Sequence, residues 1–359
     1  MDLVGQVIDA ESLNLMLAYI FKRILLMVPT LLGLLLLTFV VLQFVPGGPV
    51  ETLLAEARAG GGSEGTTYKA GRDVDAKQRE ELMKQFGFDK PAHERFIKMI
   101  GDYARFDLGK SFLQNKSVWE LIKDKLPVSI TLGLWTFLIS YAISIPLGVA
   151  KAVREGSRFD LATTFLVLMG YSIPGFVLGV LLIVMFSGGT FLDWFPLRGI
   201  TSDNFDELSN WGKVKDYVWH ITLPLTCLVI HSFAVVTLLT KNTFVEEIRK
   251  QYVLVARSKG LSQERVLYKH IFRNALIPLV TGFPAAFIGA FFTGALLIET
   301  LFSLDGLGLL SYESVIRRDY PVVLGSLYLF ALIGLVVKLV SDLLYTVVDP
   351  RVQFASVGK

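Results

Sequence analysis

Residues 322–347 read VVLGSLYLFALIGLVVKLVSDLLYTV, an apolar run interrupted by only two charges, Lys338 and Asp342. A run of this length meets the roughly 20 residues that a helix needs to cross about 30 Å of hydrocarbon. Five further runs are comparable, at 24–45, 128–150, 161–187, 219–240 and 278–298, and none of them holds a Lys, Arg, Asp or Glu. The chain has 35 Lys+Arg and 32 Asp+Glu, so nearly all of its charge lies between the runs. At 53% hydrophobic and 19% charged it also departs from a soluble domain, which is about 45–50% apolar and about 25% charged. The pattern predicts an all-α polytopic membrane protein with six transmembrane helices. It excludes a soluble enzyme, a nucleic-acid binder and a disordered scaffold.

The single cysteine, Cys227, lies inside an apolar run, so an intrachain disulfide cannot form. Lys22 and Arg23 precede the first run as they would in a signal peptide, but Val45-Pro46-Gly47-Gly48-Pro49 lacks a small-x-small cleavage pattern. The first run is therefore expected to remain as a span. Six spans put both termini on one side, and the Lys+Arg bias of the short segments chooses that side. Segments 1–23, 151–160, 241–277 and 348–359 together hold fifteen Lys+Arg, eight of them in 241–277, against five in 188–218 and 299–321. The expected order is a cytoplasmic N-terminal segment 1–23, span 24–45, an extracytoplasmic loop domain 46–127, span 128–150, span 161–187, and an extracytoplasmic loop 188–218. Span 219–240, a cytoplasmic loop 241–277, spans 278–298 and 322–347, and a cytoplasmic tail 348–359 complete it.

The long outer segment carries a glycine-rich stretch, Ala59-Gly60-Gly61-Gly62-Ser63-Glu64-Gly65, followed by amphipathic patterns over 75–86 and 91–106. Phe96, Ile100 and Tyr103 form the apolar face of the second. Ser117-Val118-Trp119-Glu120 reads as a capping box opening a helix expected to stop before Pro127. Small residues recur every four positions at Gly282, Ala286, Ala290 and Gly294, and at Gly175 and Gly179, as close helix packing in lipid requires.

An energy source is not visible. Asp107-Leu108-Gly109-Lys110-Ser111 ends like a phosphate-binding loop, but Ala104 occupies the position of the required first glycine. The four histidines, His93, His220, His231 and His270, are too scattered for a metal site, and His231 reads as a polar residue hydrogen-bonded inside the bundle. Lys338 and Asp342 sit four residues apart on one helix face, where mutual neutralisation outweighs an ion relay. The body is that of a transporter, and the energy for active transport is expected from another subunit.

The stretch 241–278 is the most informative for function. It reads as a helix, a break at Gly260, and a second helix started by Ser262 that runs into the fifth span at Pro278. A positive-inside loop explains its eight basic residues but not its helix–Gly–helix form. Tyr252-Val253-Leu254-Val255-Ala256-Arg257-Ser258-Lys259-Gly260-Leu261, with Arg273-Asn274-Ala275-Leu276-Ile277-Pro278, resembles the EAA loop of binding-protein-dependent ABC importer permeases. Leu254 and Val255 stand where that loop has Glu and its first Ala. Ile145-Pro146-Leu147-Gly148, Gly156-Ser157-Arg158-Phe159-Asp160, Ser172-Ile173-Pro174-Gly175-Phe176, Gly306-Leu307-Gly308, Arg318-Asp319-Tyr320-Pro321 and Asp349-Pro350-Arg351 follow in the family's order. Together they are similar to the B-type permease of dipeptide and oligopeptide importers. Gly87-Phe88-Asp89-Lys90-Pro91-Ala92-His93-Glu94-Arg95 and Leu239-Thr240-Lys241-Asn242-Thr243 look closest to the Yej-type (microcin C) oligopeptide system.

The resemblance implies a type I ABC importer permease fold and a non-catalytic, multi-pass subunit of the bacterial plasma (inner) membrane. It implies a second homologous permease, two ABC ATPase domains that are fused in Yej-type systems, an extracytoplasmic peptide-binding protein and a peptide substrate, within membrane lipid and without nucleic acid. This chain would bind no cofactor or metal, with ATP and Mg held in the ATPase subunits. A coupling helix around 246–261 would dock into the ATPase. Its residues would be Glu247, Tyr252, Ala256, Arg257, Lys259, Gly260 and Leu261, with Tyr252 and nearby apolar side chains filling a groove and Arg257 and Lys259 pairing with acids. The outer loop would dock the binding protein or cover the outer mouth. The rival reading is a secondary carrier or channel acting without ATPase partners.

Overall fold

The computed structural model describes residues 10–45, 50–51, 80–81, 83–84, 87–114, 116–187, 191–292 and 296–348. The glycine-rich stretch, most of the 75–86 pattern, Pro46-Gly47-Gly48-Pro49 and the tail from 349 lie outside these residues. The described chain is built from helices: α1 Ala10–Phe44, α2 Ala92–Tyr103, α3 Val118–Val153, α4 Arg158–Ser172, α5 Gly175–Phe186 and α6 Asn210–Ile248. Then come α7 Gln251–Ser258, an α–π–α segment α8 over 263–275, α9 Ile277–Phe292, α10 Leu296–Leu301, α11 Leu307–Ile316 and α12 Tyr320–Val348. Four of these helices are long and apolar enough to cross a membrane, or six spans result when each of two bent pairs, α4–α5 and α8–α9, counts as one.

Local chemistry explains most helix ends. The capping box at α3 forms in both directions, with the Glu120 N–H donating to Ser117 Oγ at 3.2 Å and the Ser117 N–H to Glu120 Oε2 at 3.1 Å. Contrary to expectation, Pro127 does not stop this helix, which runs through Pro127 and Pro146 to Val153. A proline removes one helical hydrogen bond, whereas ending a helix exposes several backbone groups; next to hydrocarbon the second cost is larger. The 161–187 run is also not one straight helix. It bends by 90° between α4 and α5, where Pro174 holds Ile173 extended at φ −86°, ψ 118°.

The chain divides into two compact units, one of residues 21–126 and 310–333, the other of 1–20, 127–309 and 334–359. In the first, the apolar face of α2 forms as its spacing predicts, with Phe96 against Phe39 at 5.3 Å and Tyr103 against Tyr328 at 5.0 Å between ring centroids. A cavity of about 460 Å³ opens there beside Phe39, Phe88, Arg95, Tyr103 and Tyr320. In the Gly109-Lys110-Ser111 stretch Gly109 adopts φ +77°, Lys110 forms an isolated antiparallel bridge with Ser117, and the buried Ser111 hydroxyl donates to Asp319. In the second unit, one core joins Leu132 of α3, Ile221, Leu223 and Cys227 of α6, Ile298 of α10, and Phe302 and Leu304. Gly179 of α5 packs here, its α-carbon facing Leu301 and Cys227. His231 is exposed rather than enclosed, and its ring stacks on Tyr171 at 4.7 Å.

Candidate coupling site

The second core of this unit gathers Val149 and Ala152 of α3, Phe244 of α6, Val253 and Ala256 of α7, and Val266, Ile271 and Ala275 of α8. It is built around the stretch that the sequence singles out. α6 continues past the apolar run as far as Ile248, because Phe244, Val245 and Ile248 keep an apolar face toward this core. It stops where Lys250 turns extended, at φ −70°, ψ 150°. The helix expected around 246–261 is thus two helices, the end of α6 and the eight-residue α7.

α7 turns Val253 and Ala256 inward, one helical turn apart, and closes in a Schellman motif. The Gly260 N–H donates to the Arg257 carbonyl at 2.9 Å and the Leu261 N–H to the Ala256 carbonyl at 3.4 Å. Gly260 sits at φ +79° with open space around its α-carbon, so backbone conformation rather than crowding requires glycine. Ser262 then caps α8, accepting from the Arg265 N–H at 3.4 Å. A π-helical turn over Val266–Ile271 sets both of those residues into the core. α8 and α9 meet at a 48° bend just before Pro278.

Glu247 and Tyr252 anchor α7. The buried Glu247 carboxylate accepts from Tyr252 Oη at 2.9 Å and from Lys250 Nζ. Burial pushes the Tyr252 phenol up from its ordinary range; Asn274 of α8 opposes that by hydrogen bonding, and the Glu247 carboxylate adds to it. One phenol thus ties α6, α7 and α8 together. The seven residues expected at the coupling loop accordingly divide. Glu247, Tyr252, Ala256 and Leu261 face the core and hold α7 in place, whereas Arg257, Lys259 and Gly260 are exposed. Tyr252, expected to help fill a groove, is half-buried and packs against this core. The exposed apolar residues of α7 are Leu254 and Val255, at 59% and 52% exposure. These are the two positions that depart from the family motif.

The sequence also missed a buried ion cluster above this core. Lys151 of α3, fully buried, lies 3.2 Å from Asp160 Oδ1, and Lys241 of α6 reaches Asp160 Oδ2 at 2.7 Å. All three residues lie one position beyond an apolar run, where a charge reads as a loop charge. Lys338 is exposed and Asp342 half-buried on α12.

Residues 144–354 match the family model of the binding-protein-dependent transport system inner membrane component. The chain is 54% identical over 357 residues to a peptidoglycan transport system permease protein YejB of Agrobacterium fabrum, covering 94% of this chain and 98% of that one. It is 50% identical to an inner membrane ABC transporter permease protein YejB of Escherichia coli O157:H7, over 94% and 99% of the two chains. At 33% identity it matches an oligopeptide transport system permease protein AppB of Bacillus subtilis, over 94% and 100%. Its apolar helices and these relatives agree: the chain belongs to the family of binding-protein-dependent transport system inner membrane components, as a multi-pass ABC transporter permease of the bacterial inner membrane.

Proposed function

We propose that this permease forms one half of the pathway of an ATP-driven importer for oligopeptides or peptide-like compounds, and that α7 is the element through which ATPase subunits drive it. The single observation that carries this reading is the two-faced placement of α7. Its inward face is fixed by Val253, Ala256, Tyr252 and Glu247, while Leu254, Val255, Arg257 and Lys259 are exposed on a short rigid element. An apolar pair flanked by two cations suits a groove with an apolar floor and acidic rim.

In this reading both termini and 241–277 are cytoplasmic. The six spans are α1, α3, α4 with α5, α6, α8 with α9, and α12, and the 46–127 segment is extracytoplasmic. A homologous permease supplies the other half of the pathway, a binding protein delivers the peptide, and ATP and Mg belong to the ATPase subunits. Peptide cargo is supported by relatives whose names give oligopeptide and peptidoglycan transport. A carrier acting without ATPase partners finds no support among these relatives.

The test is co-purification of the ATPase subunits with the tagged permease from membranes in which the whole system is expressed. Val255→Asp and Arg257→Glu together place like charge against the acidic rim and are expected to lower ATPase recovery about tenfold while the permease stays in the membrane. Undiminished recovery would refute the role of α7, and absence of ATPase from the unaltered complex would refute the importer reading altogether.

A further inference from the structure

The Lys151–Asp160–Lys241 cluster has no place in the docking surface described above, yet Lys151 and Asp160 are almost wholly buried, at 0% and 3% exposure. Lys151 Nζ donates to the Asp160 carbonyl at 3.0 Å, Thr163 Oγ1 at 2.8 Å and Thr164 Oγ1 at 2.6 Å, besides facing the Asp160 carboxylate. The other carboxylate oxygen takes Lys241 Nζ and the Gly156 N–H, at 2.7 and 3.1 Å. Ser157 Oγ caps α4 by accepting from the Asp160 N–H at 3.2 Å. A single carboxylate thereby joins the end of α3, the turn after it, the start of α4, and α6.

Buried ion pairs contribute little net stability, because desolvation offsets their attraction, but removing one partner leaves an uncompensated charge, so the pair resists separation. The neighbouring contacts serve the same end. Ser144 of α3 donates to the Phe233 carbonyl of α6 at 2.9 Å, and at Gly148 the two helices approach so closely that an added Cβ would lie 2.5 Å from that of Thr240. Beyond the cluster, Arg249 pairs with Glu155 at 2.9 Å, and Val149 and Ala152 share the core that holds α7.

We propose that Asp160 is a positioning residue of the transport cycle: its carboxylate locks α3, α4 and α6 together so that they move with α7 as one body. This rests on reading α7 as the coupling element. In that role the cluster converts a push on α7 into displacement of three helices, rather than letting α7 flex alone.

The experiment uses the complete complex with its ATPase subunits, in a Cys227→Ser background, with nitroxide labels at Leu161→Cys on α4 and Ser258→Cys on α7. The distance between the labels is measured with and without ATP and orthovanadate. It is expected to be unchanged by nucleotide in the otherwise unaltered protein and in Lys241→Arg, which keeps the pair. Lys241→Met and Asp160→Asn are expected to give a nucleotide-dependent second distance, with ATPase subunits still bound. Asp160→Asn leaves two buried cations without their carboxylate and can fail to fold; Lys241→Met retains the Lys151–Asp160 pair and keeps the test available. A nucleotide-dependent distance in the unaltered protein, or a fixed one in Lys241→Met, would overturn the proposal. If no ATPase co-purified with the unaltered complex, the reading of α7 would fall first and the role of Asp160 with it.

Discussion

Asp319 illustrates how narrowly one side chain can be specified. It is 2% exposed, accepts from the Ser111 hydroxyl and from the Phe112 N–H, and Ser111 in turn accepts from the Leu113 and Gln114 N–H groups. Asn is nearly isosteric, but either orientation of its amide sets an NH2 against a donor. Asp319→Asn is expected to cost about 1–3 kcal/mol, seen as a lowered thermal midpoint in detergent. Burial raises the Asp319 carboxyl above its ordinary range, against the hydrogen bonds that lower it. The folded state therefore binds more protons between the ordinary and the raised value. The stability this contributes is full below the ordinary carboxylate pKa and is lost as pH rises through the raised one, a slope that Asp319→Asn should abolish. Gly306 is constrained differently: a Cβ there would lie 2.6 Å from Cδ of the buried Glu299, whose carboxylate accepts from the Leu309 N–H at 2.7 Å. Gly306→Ala is expected to destabilise by about 1–3 kcal/mol. Gly260→Ala strains only the backbone and should cost about 1–2 kcal/mol.

At the scale of elements, glycines in helices make opposite predictions. Gly148→Ala must push α3 from α6 and should lower stability by about 1–3 kcal/mol, whereas Gly282→Ala on α9 meets open space and should gain about 0.5–1 kcal/mol. Thermal unfolding of the two variants side by side reads the difference. The small-residue spacing suggested packing for Gly282 and did not single out Gly148; the neighbours of each α-carbon decide. Local signals were legible because their causes are local: the Ser117–Glu120 box, the break at Gly260 and the Ser262 cap each follow from a few adjacent residues. The 90° bend was partly legible in Ser172-Ile173-Pro174-Gly175, although Pro127 and Pro146 show that proline alone does not decide a break. The ion cluster was not legible at all. Lys241 and Asp160 are 81 residues apart, and hydropathy assigns each of them to a loop.

For the whole molecule, the scarcity of charge in six apolar runs established a membrane protein, and the family confirmed it as a permease. Lys338 and Asp342 are the charges within those runs, whereas Lys151, Asp160 and Lys241, which form a buried cluster, lie just past the run ends. The seven residues expected at the coupling loop fall at the end of α6, on α7 and in the turn after it, and which of them face the core depends on the neighbours that close over a short helix. Tyr252 points into the core, and Leu254 and Val255 point away from it. In the proposed function this exposed face of α7 receives the motion of the ATPase. The most direct measurement is ATP hydrolysis by the reconstituted complex, with and without its substrate-loaded binding protein, comparing Val255→Asp/Arg257→Glu with the unaltered chain. The double variant is expected to lose the stimulation, by about tenfold or to the basal rate. Stimulation equal to that of the unaltered chain would contradict it.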